Sequence, residues 1–246
     1  MRMRPVLFTL LSCAVIAMAT AAEAQTAPEY RWSVEFGMGW DKSISGNINS
    51  SGVGTINDQT VVVLKNQYGD VYGTGLNLRF GAGYMIDVET EIRGTFMFQS
   101  LDADLVRMGD IGASNLYGDY DDYQTWSLDV GLRRYIDVAD ALRVYAEGTL
   151  GIGFIDETDV LLVAPRANLT QDATDFYDRT AAFALGGNAG VLWQASERAG
   201  IFAQLGLRYM TGMSEVDGLE GTGLEEINDK SGRWTLPVQF GVRIRF

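Results

Sequence analysis

Hydrophobic and polar residues alternate along this chain in eight separate stretches. The last of them, residues 234–246, shows the pattern most cleanly. Its even positions are Trp234, Leu236, Val238, Phe240, Val242, Ile244 and Phe246, all apolar. Its odd positions are Thr235, Pro237, Gln239, Gly241, Arg243 and Arg245. A period of two sends the two sets to opposite faces of a β-strand.

The same reading predicts strands over 30–41, 72–84, 88–99, 124–135, 142–154, 181–193 and 200–211. In the first, Trp32, Val34, Phe36, Met38 and Trp40 oppose Arg31, Ser33, Glu35, Gly37 and Gly39. In the second, Leu76, Leu78, Phe80, Ala82 and Tyr84 oppose Asn77, Arg79 and three glycines. The polar face of 88–99 carries Glu89, Glu91, Arg93 and Gln99, and that of 124–135 carries Ser127, Asp129 and Arg133. The remaining stretches place Arg143 and Glu147, then Asn188, then Gln204 and Arg208, on their polar faces.

Short connections at 85–87, 136–141 and 194–199 alternate with long ones at 42–71, 100–123, 155–180 and 212–233. An even number of strands of about ten residues, joined alternately by short and long connections, is the pattern of an all-β, eight-stranded, up-and-down antiparallel transmembrane barrel with four long extracellular loops. Aromatic residues near strand ends fit two interfacial girdles: Trp32, Trp40, Tyr84, Trp126, Phe154, Trp193, Tyr209, Trp234 and Phe246. The soluble alternative is a secreted sandwich or lipocalin-like barrel, with the apolar face turned inward. Glycine weighs against it: thirteen glycines fall on the polar faces and three on the apolar faces. Glycine on the inner wall of a narrow barrel leaves room for large side chains opposite, a need that a water-facing surface does not have.

The first residues add a compartment. MRMR precedes an apolar run, and Ala22-Glu23-Ala24 has the small-x-small form of a cleavage site. Residues 1–24 are therefore expected to be a secretory signal peptide and residues 25–246 the barrel domain. A retained membrane helix is disfavoured because the run is shorter than the ~20 residues a span needs. Cleavage removes Cys13, the only cysteine, and leaves a net charge of −14. Such an acidic chain is a poor candidate for nucleic-acid binding.

Taken together, residues 30–246 resemble the OmpA-type eight-stranded membrane domain and the related opacity-protein-like surface antigens of Gram-negative bacteria. The resemblance implies residence in the outer membrane among its lipids, including lipopolysaccharide. It further implies that Phe240, Val242, Ile244 and Phe246 form the C-terminal signal read by the barrel-assembly machinery during insertion. No residues follow Phe246 to form a peptidoglycan-binding domain, so an envelope-tethering role is not expected.

Eight strands enclose a lumen just wide enough for side chains to fill. The expected lumen network comprises Glu35, Arg79, Glu91, Arg93, Asp129, Arg133, Glu147, Arg208 and Arg243. Glu89, Arg31, Arg143 and Arg245 are also expected to face inward, with Asn188 and Gln204 near the depth of Glu35. Charges remote from water must pair. The network is either a structural plug, the favoured reading, or a gate in which arginine–glutamate pairs swap partners. The acidic excess lies in the loops: net −5 over 100–123, −4 over 155–180 and −4 over 212–233. Solvation accounts for it. Divalent cations at Asp119-Tyr120-Asp121-Asp122 are the weaker alternative, since no calcium-loop spacing is present. The chain has no histidine, the usual proton acceptor near neutral pH. Enzymatic activity and cofactors are accordingly not expected. The expected function is a structural or surface-exposed outer-membrane protein. The alternatives are a narrow porin-like channel and an adhesin or host-interaction surface antigen.

Overall fold

The computed structural model describes residues 29–215, 223–224, 227–228 and 231–246. The expected signal peptide lies outside them. In chain order, strand β1 (Trp32–Ser45) is followed by an excursion containing β2 (Asn47–Asn49), β3 (Gly52–Ile56), β4 (Gln59–Val63), β5 (Asn66–Gln67) and the one-turn helix α1 (Tyr68–Val71). Strands β6 (Thr74–Met85) and β7 (Thr90–Leu101) precede a second excursion, β8 (Val106–Ile111) and β9 (Ser114–Tyr120). Strands β10 (Tyr123–Ala139) and β11 (Leu142–Ile155) precede a third, β12 (Thr158–Ala164) and β13 (Leu169–Asp178). Strands β14 (Thr180–Gln194), β15 (Ala199–Met210), the short β16 (Ser214–Glu215) and β17 (Arg233–Arg245) complete the chain.

The eight long strands form a closed antiparallel barrel, ordered β1-β17-β15-β14-β11-β10-β7-β6 and back to β1. Closure is made by the first and last strands, with Phe36 opposite Val242 and Met38 opposite Phe240. The Phe246 amide donates to the Trp32 carbonyl at 2.9 Å, and the Trp32 amide donates back to the Phe246 carbonyl at 3.1 Å. No sheet edge remains in the barrel, which is the condition for placing strands in hydrocarbon.

The alternation has the sense of a membrane barrel. The apolar set points outward: Trp40, Leu128, Leu150 and Leu205 are each more than half exposed. So large an uninterrupted apolar exterior needs a lipid solvent. No described helix is long and apolar enough to cross a membrane; the crossing is made by strands. The inner glycines are occupied as the sequence reading anticipated. A Cβ on Gly81 would stand 2.6 Å from a guanidinium nitrogen of Arg93, and one on Gly83 would collide with the carboxylate of Glu91.

All four long connections depart from the expected polar loops. Their strands assemble into a seven-stranded sheet, β16-β13-β12-β9-β8-β4-β3, which takes one short strand or hairpin from each excursion in the order of the barrel wall. This upper tier reverses the polarity of the barrel. In β12, Val160, Leu162 and Ala164 are buried while Asp159, Leu161 and Val163 are partly exposed. Val61, Val63, Met108, Leu116, Tyr120 and Phe176 join them in one apolar core that continues down to Leu101, Ala182 and Met210 at the barrel mouth. Above the membrane the outer solvent is water, so the hydrophobic effect turns the apolar face inward. The acids stay outside: Asp102, Asp104, Asp119, Asp121, Asp122 and Glu157 are exposed.

Candidate functional site: the barrel lumen

The lumen is built from the inward residues of all eight strands. Its lower part is a continuous network. Arg93 on β7 grips Glu35 on β1, with nitrogens 2.7 Å from each carboxylate oxygen. Arg133 on β10 bridges Glu35 at 2.7 Å and Glu147 on β11 at 2.7 Å. Arg79 on β6 reaches the other oxygen of Glu147 at 2.5 Å. Arg243 on β17 clamps Glu91 on β7, which also accepts from Ser33 at 2.6 Å and from the Tyr135 hydroxyl at 2.7 Å. Every one of these charged side chains is buried. The Arg133 guanidinium further lies 4.0 Å from the Tyr145 ring centroid, so its face as well as its edge is covered.

Above this network the polar groups change to amides. Gln204 donates to Gln239 at 2.5 Å, Gln239 donates to Asn77 at 2.6 Å, and Tyr145 donates to Gln204 at 2.9 Å. Next comes a separate pair, Arg208 and Asp129, joined through two bonds of 2.6 and 3.0 Å, with Ser127 accepting from Arg208 at 2.9 Å. Higher still, Gln99 bonds both Asp41 and Arg233, and the Arg233 guanidinium lies 3.9 Å from the Tyr123 ring centroid. Tyr68 and Tyr72 stack there, and both meet Tyr123 edge-on, so the three rings roof the lumen.

The expected residues thus divide into two groups. Glu35, Arg79, Glu91, Arg93, Arg133, Glu147 and Arg243 make one network, while Asp129 and Arg208 form a second, higher one. Gln204 borders the lower network through Tyr145, and Asn188 lines a small cavity between the two groups. Two expectations are corrected. Glu89 is not in the lumen: it lies in the β6–β7 turn and accepts from Arg134 at 2.9 Å, with both side chains partly exposed. Arg31 is exposed and donates to the Tyr84 hydroxyl at 3.0 Å. Both sit where the strand alternation runs out into a turn or a terminus. Arg143 and Arg245 line a wide vestibule of about 500 Å³ at the short-turn end, together with Tyr30 and Asp137. Sequence reasoning missed Tyr135, Tyr145 and Arg233. Carrying the two-residue period through Arg133 and Arg143 and back from Thr235 finds all three.

Among the described residues no group of three or more histidine, cysteine, aspartate or glutamate side chains could hold a metal ion. Asp121 and Asp122 instead accept backbone amides, from Asp159 at 3.4 Å and Ala103 at 3.0 Å.

No protein-family model and no curated protein matches the chain. Solved structures share its shape distantly. Neisserial surface protein A is 12% identical with a TM-score of 0.46, covering 87% of this chain and 97% of its own. The outer membrane protein OprG from Pseudomonas aeruginosa is 13% identical with a TM-score of 0.44, covering 91% and 99%. The attachment invasion locus protein of Yersinia pestis is 12% identical with a TM-score of 0.37, covering 87% and 99%. By its own closed strand order, apolar exterior and ion-paired interior, the chain is an eight-stranded transmembrane β-barrel of outer-membrane type.

Proposed function

We propose that this protein is an integral outer-membrane barrel with a sealed lumen, whose role is structural and surface-exposed rather than catalytic or conductive. The observation that carries the reading is the lower network, in which seven buried charged side chains from six strands interlock across the barrel axis. The roof of Tyr68, Tyr72 and Tyr123 and the apolar core of the upper tier support it from the other end. Each of the network's carboxylates is already held by arginine, which leaves none of them placed to take a proton from a substrate. Lipopolysaccharide around the apolar wall and the assembly machinery acting on Phe246 are the partners this reading entails. The acidic outer face of the upper tier is what the cell would present.

Single-channel recording in a planar bilayer tests the reading. The purified barrel should give no conductance steps. Reproducible small steps from the wild type would overturn the seal and favour the narrow pore.

A further inference from the structure

The charges in the sealed part of the lumen do not balance. Arg79, Arg93, Arg133 and Arg243 in the lower network face Glu35, Glu91 and Glu147, and the higher pair adds one of each sign, Arg208 and Asp129. Among the described residues, five guanidinium groups therefore meet four carboxylates. Just above, Asp41 and Arg233 balance each other through Gln99. The deficit falls on Arg79. Its only carboxylate among the described residues is Glu147, which Arg133 also holds at 2.5 Å and Arg93 approaches at 3.8 Å. The remaining contacts of Arg79 are long, 3.3 Å to Thr95 and 3.5 Å to Gln239. The Nε atoms of Arg79 and Arg208 have no hydrogen-bond partner, a property shared among the described residues by Arg93, Arg233 and Arg243.

These two arginines line one cavity of about 20 Å³, together with Thr95, Thr149, Asn188 and Gln239. That is room for a single water or an ion of its size. Asp129 is on the wall too, but Arg208 neutralises it through two bonds. The cavity abuts the place where Pro237, lacking an amide hydrogen, stands opposite Gly206 and no β15–β17 pairing runs between Leu205–Val238 and Arg208–Thr235.

We propose that this cavity binds one monovalent anion of halide size, held by Arg79 and Arg208. A buried charge without a counter-charge is strongly unfavourable, and the excess here is a single unit. Charge sets the valence and volume sets the size: phosphate and sulfate are too large for the space. The proposal rests on the sealed lumen, because in a water-filled one mobile ions would screen the excess without a site.

The test is to refold and crystallise the protein in sodium bromide and measure bromine anomalous scattering. A peak within hydrogen-bond reach of the Arg79 guanidinium is expected; a featureless cavity overturns the proposal. Urea unfolding in lipid vesicles gives a second readout. The wild-type midpoint should rise with chloride when gluconate is the replacement anion at constant ionic strength, and a flat response also overturns the proposal. Asn188→Asp places a carboxylate on the cavity wall. It should fold and lose the chloride dependence, whereas retained dependence would place the anion elsewhere and sink the assignment. Bilayer recording separates the two readings: no conductance and no bromide peak removes only the anion site, while channel steps remove the seal.

Discussion

Arg243 on the last strand reaches across the barrel axis and takes both carboxylate oxygens of Glu91 on β7, at 2.8 and 3.1 Å. Two strands, β1 and β6, lie between them in the wall. The pair therefore ties the closing strand to the far side of the molecule. A cross-lumen clamp of this kind is made only once the barrel has closed.

Arg243→Ala should destabilise the barrel by about 3–5 kcal/mol, the usual penalty for removing one partner of a buried, hydrogen-bonded ion pair. Glu91 would retain Arg93 at 3.4 Å and the hydroxyls of Ser33 and Tyr135, which places the expectation toward the lower end. Urea unfolding in lipid vesicles measures it. A loss below ~1 kcal/mol would mean that water reaches Glu91 freely, contrary to a sealed lumen.

Phe240 points outward between Met38 on β1 and Ala203 on β15. Phe240→Arg should cost about 2–4 kcal/mol, because an arginine on the lipid face at mid-membrane depth is expensive. Phe240→Leu, which keeps the face apolar, should cost far less. Equal midpoints for the two variants in the same vesicles would refute the outward assignment of the even positions.

Gly83→Val tests the inner wall. Its new side chain would occupy the space of the Glu91 carboxylate, with Ser33 also close by. Overpacking of this kind costs about 1–3 kcal/mol, and here it also strains the Arg243 clamp. Gly148→Val is the control, since a Cβ there meets nothing within 4 Å. Heat-modifiable gel migration should fall in apparent melting temperature for the first variant and stay close to wild type for the second.

The upper tier should behave as a water-soluble core. Leu162→Ala removes a buried side chain and should cost the tier about 2–5 kcal/mol, whereas its partly exposed neighbour Leu161→Ala should cost less. Limited proteolysis of intact proteoliposomes is the measurement. Faster cleavage within 100–123 and 155–180 is expected for Leu162→Ala, with the membrane strands still protected. Uniform resistance in both variants would contradict an apolar-cored tier.

Alkaline pH should loosen the same region. Burial pushes the phenols of Tyr72 and Tyr120 above their ordinary value. A raised folded-state pKa favours the protonated form, so this contribution is complete below the unfolded pKa of about 10 and is lost as pH rises beyond it. Phenolate absorbance should therefore lag that of free tyrosine and then rise together with proteolytic sensitivity. Titration of all tyrosines at the ordinary value with the tier intact would count against this burial.

What the sequence determined by itself was the element of repetition and the solvent of each face. A strand turns successive side chains to opposite sides wherever it lies, so Glu35, Arg93, Arg133 and Arg243 could be assigned inward from spacing alone, as Phe36 and Phe240 could be assigned outward. Only the tertiary structure decided who meets whom. Partners such as Arg243 and Glu91, 152 residues apart, depend on the stagger between strands, which period two does not encode. Glu89 and Arg31 fell outside the lumen because alternation stops carrying direction once a strand enters a turn or terminus. The upper tier was hidden for a different reason. Its strands are short, three of its four segments are acidic, and residues 160–163 are apolar without interruption, so no clean alternation marked them. Their inward face exists only because the excursions of neighbouring strands are brought side by side by barrel closure, where burial of Val160, Leu162 and Tyr120 against one another becomes available.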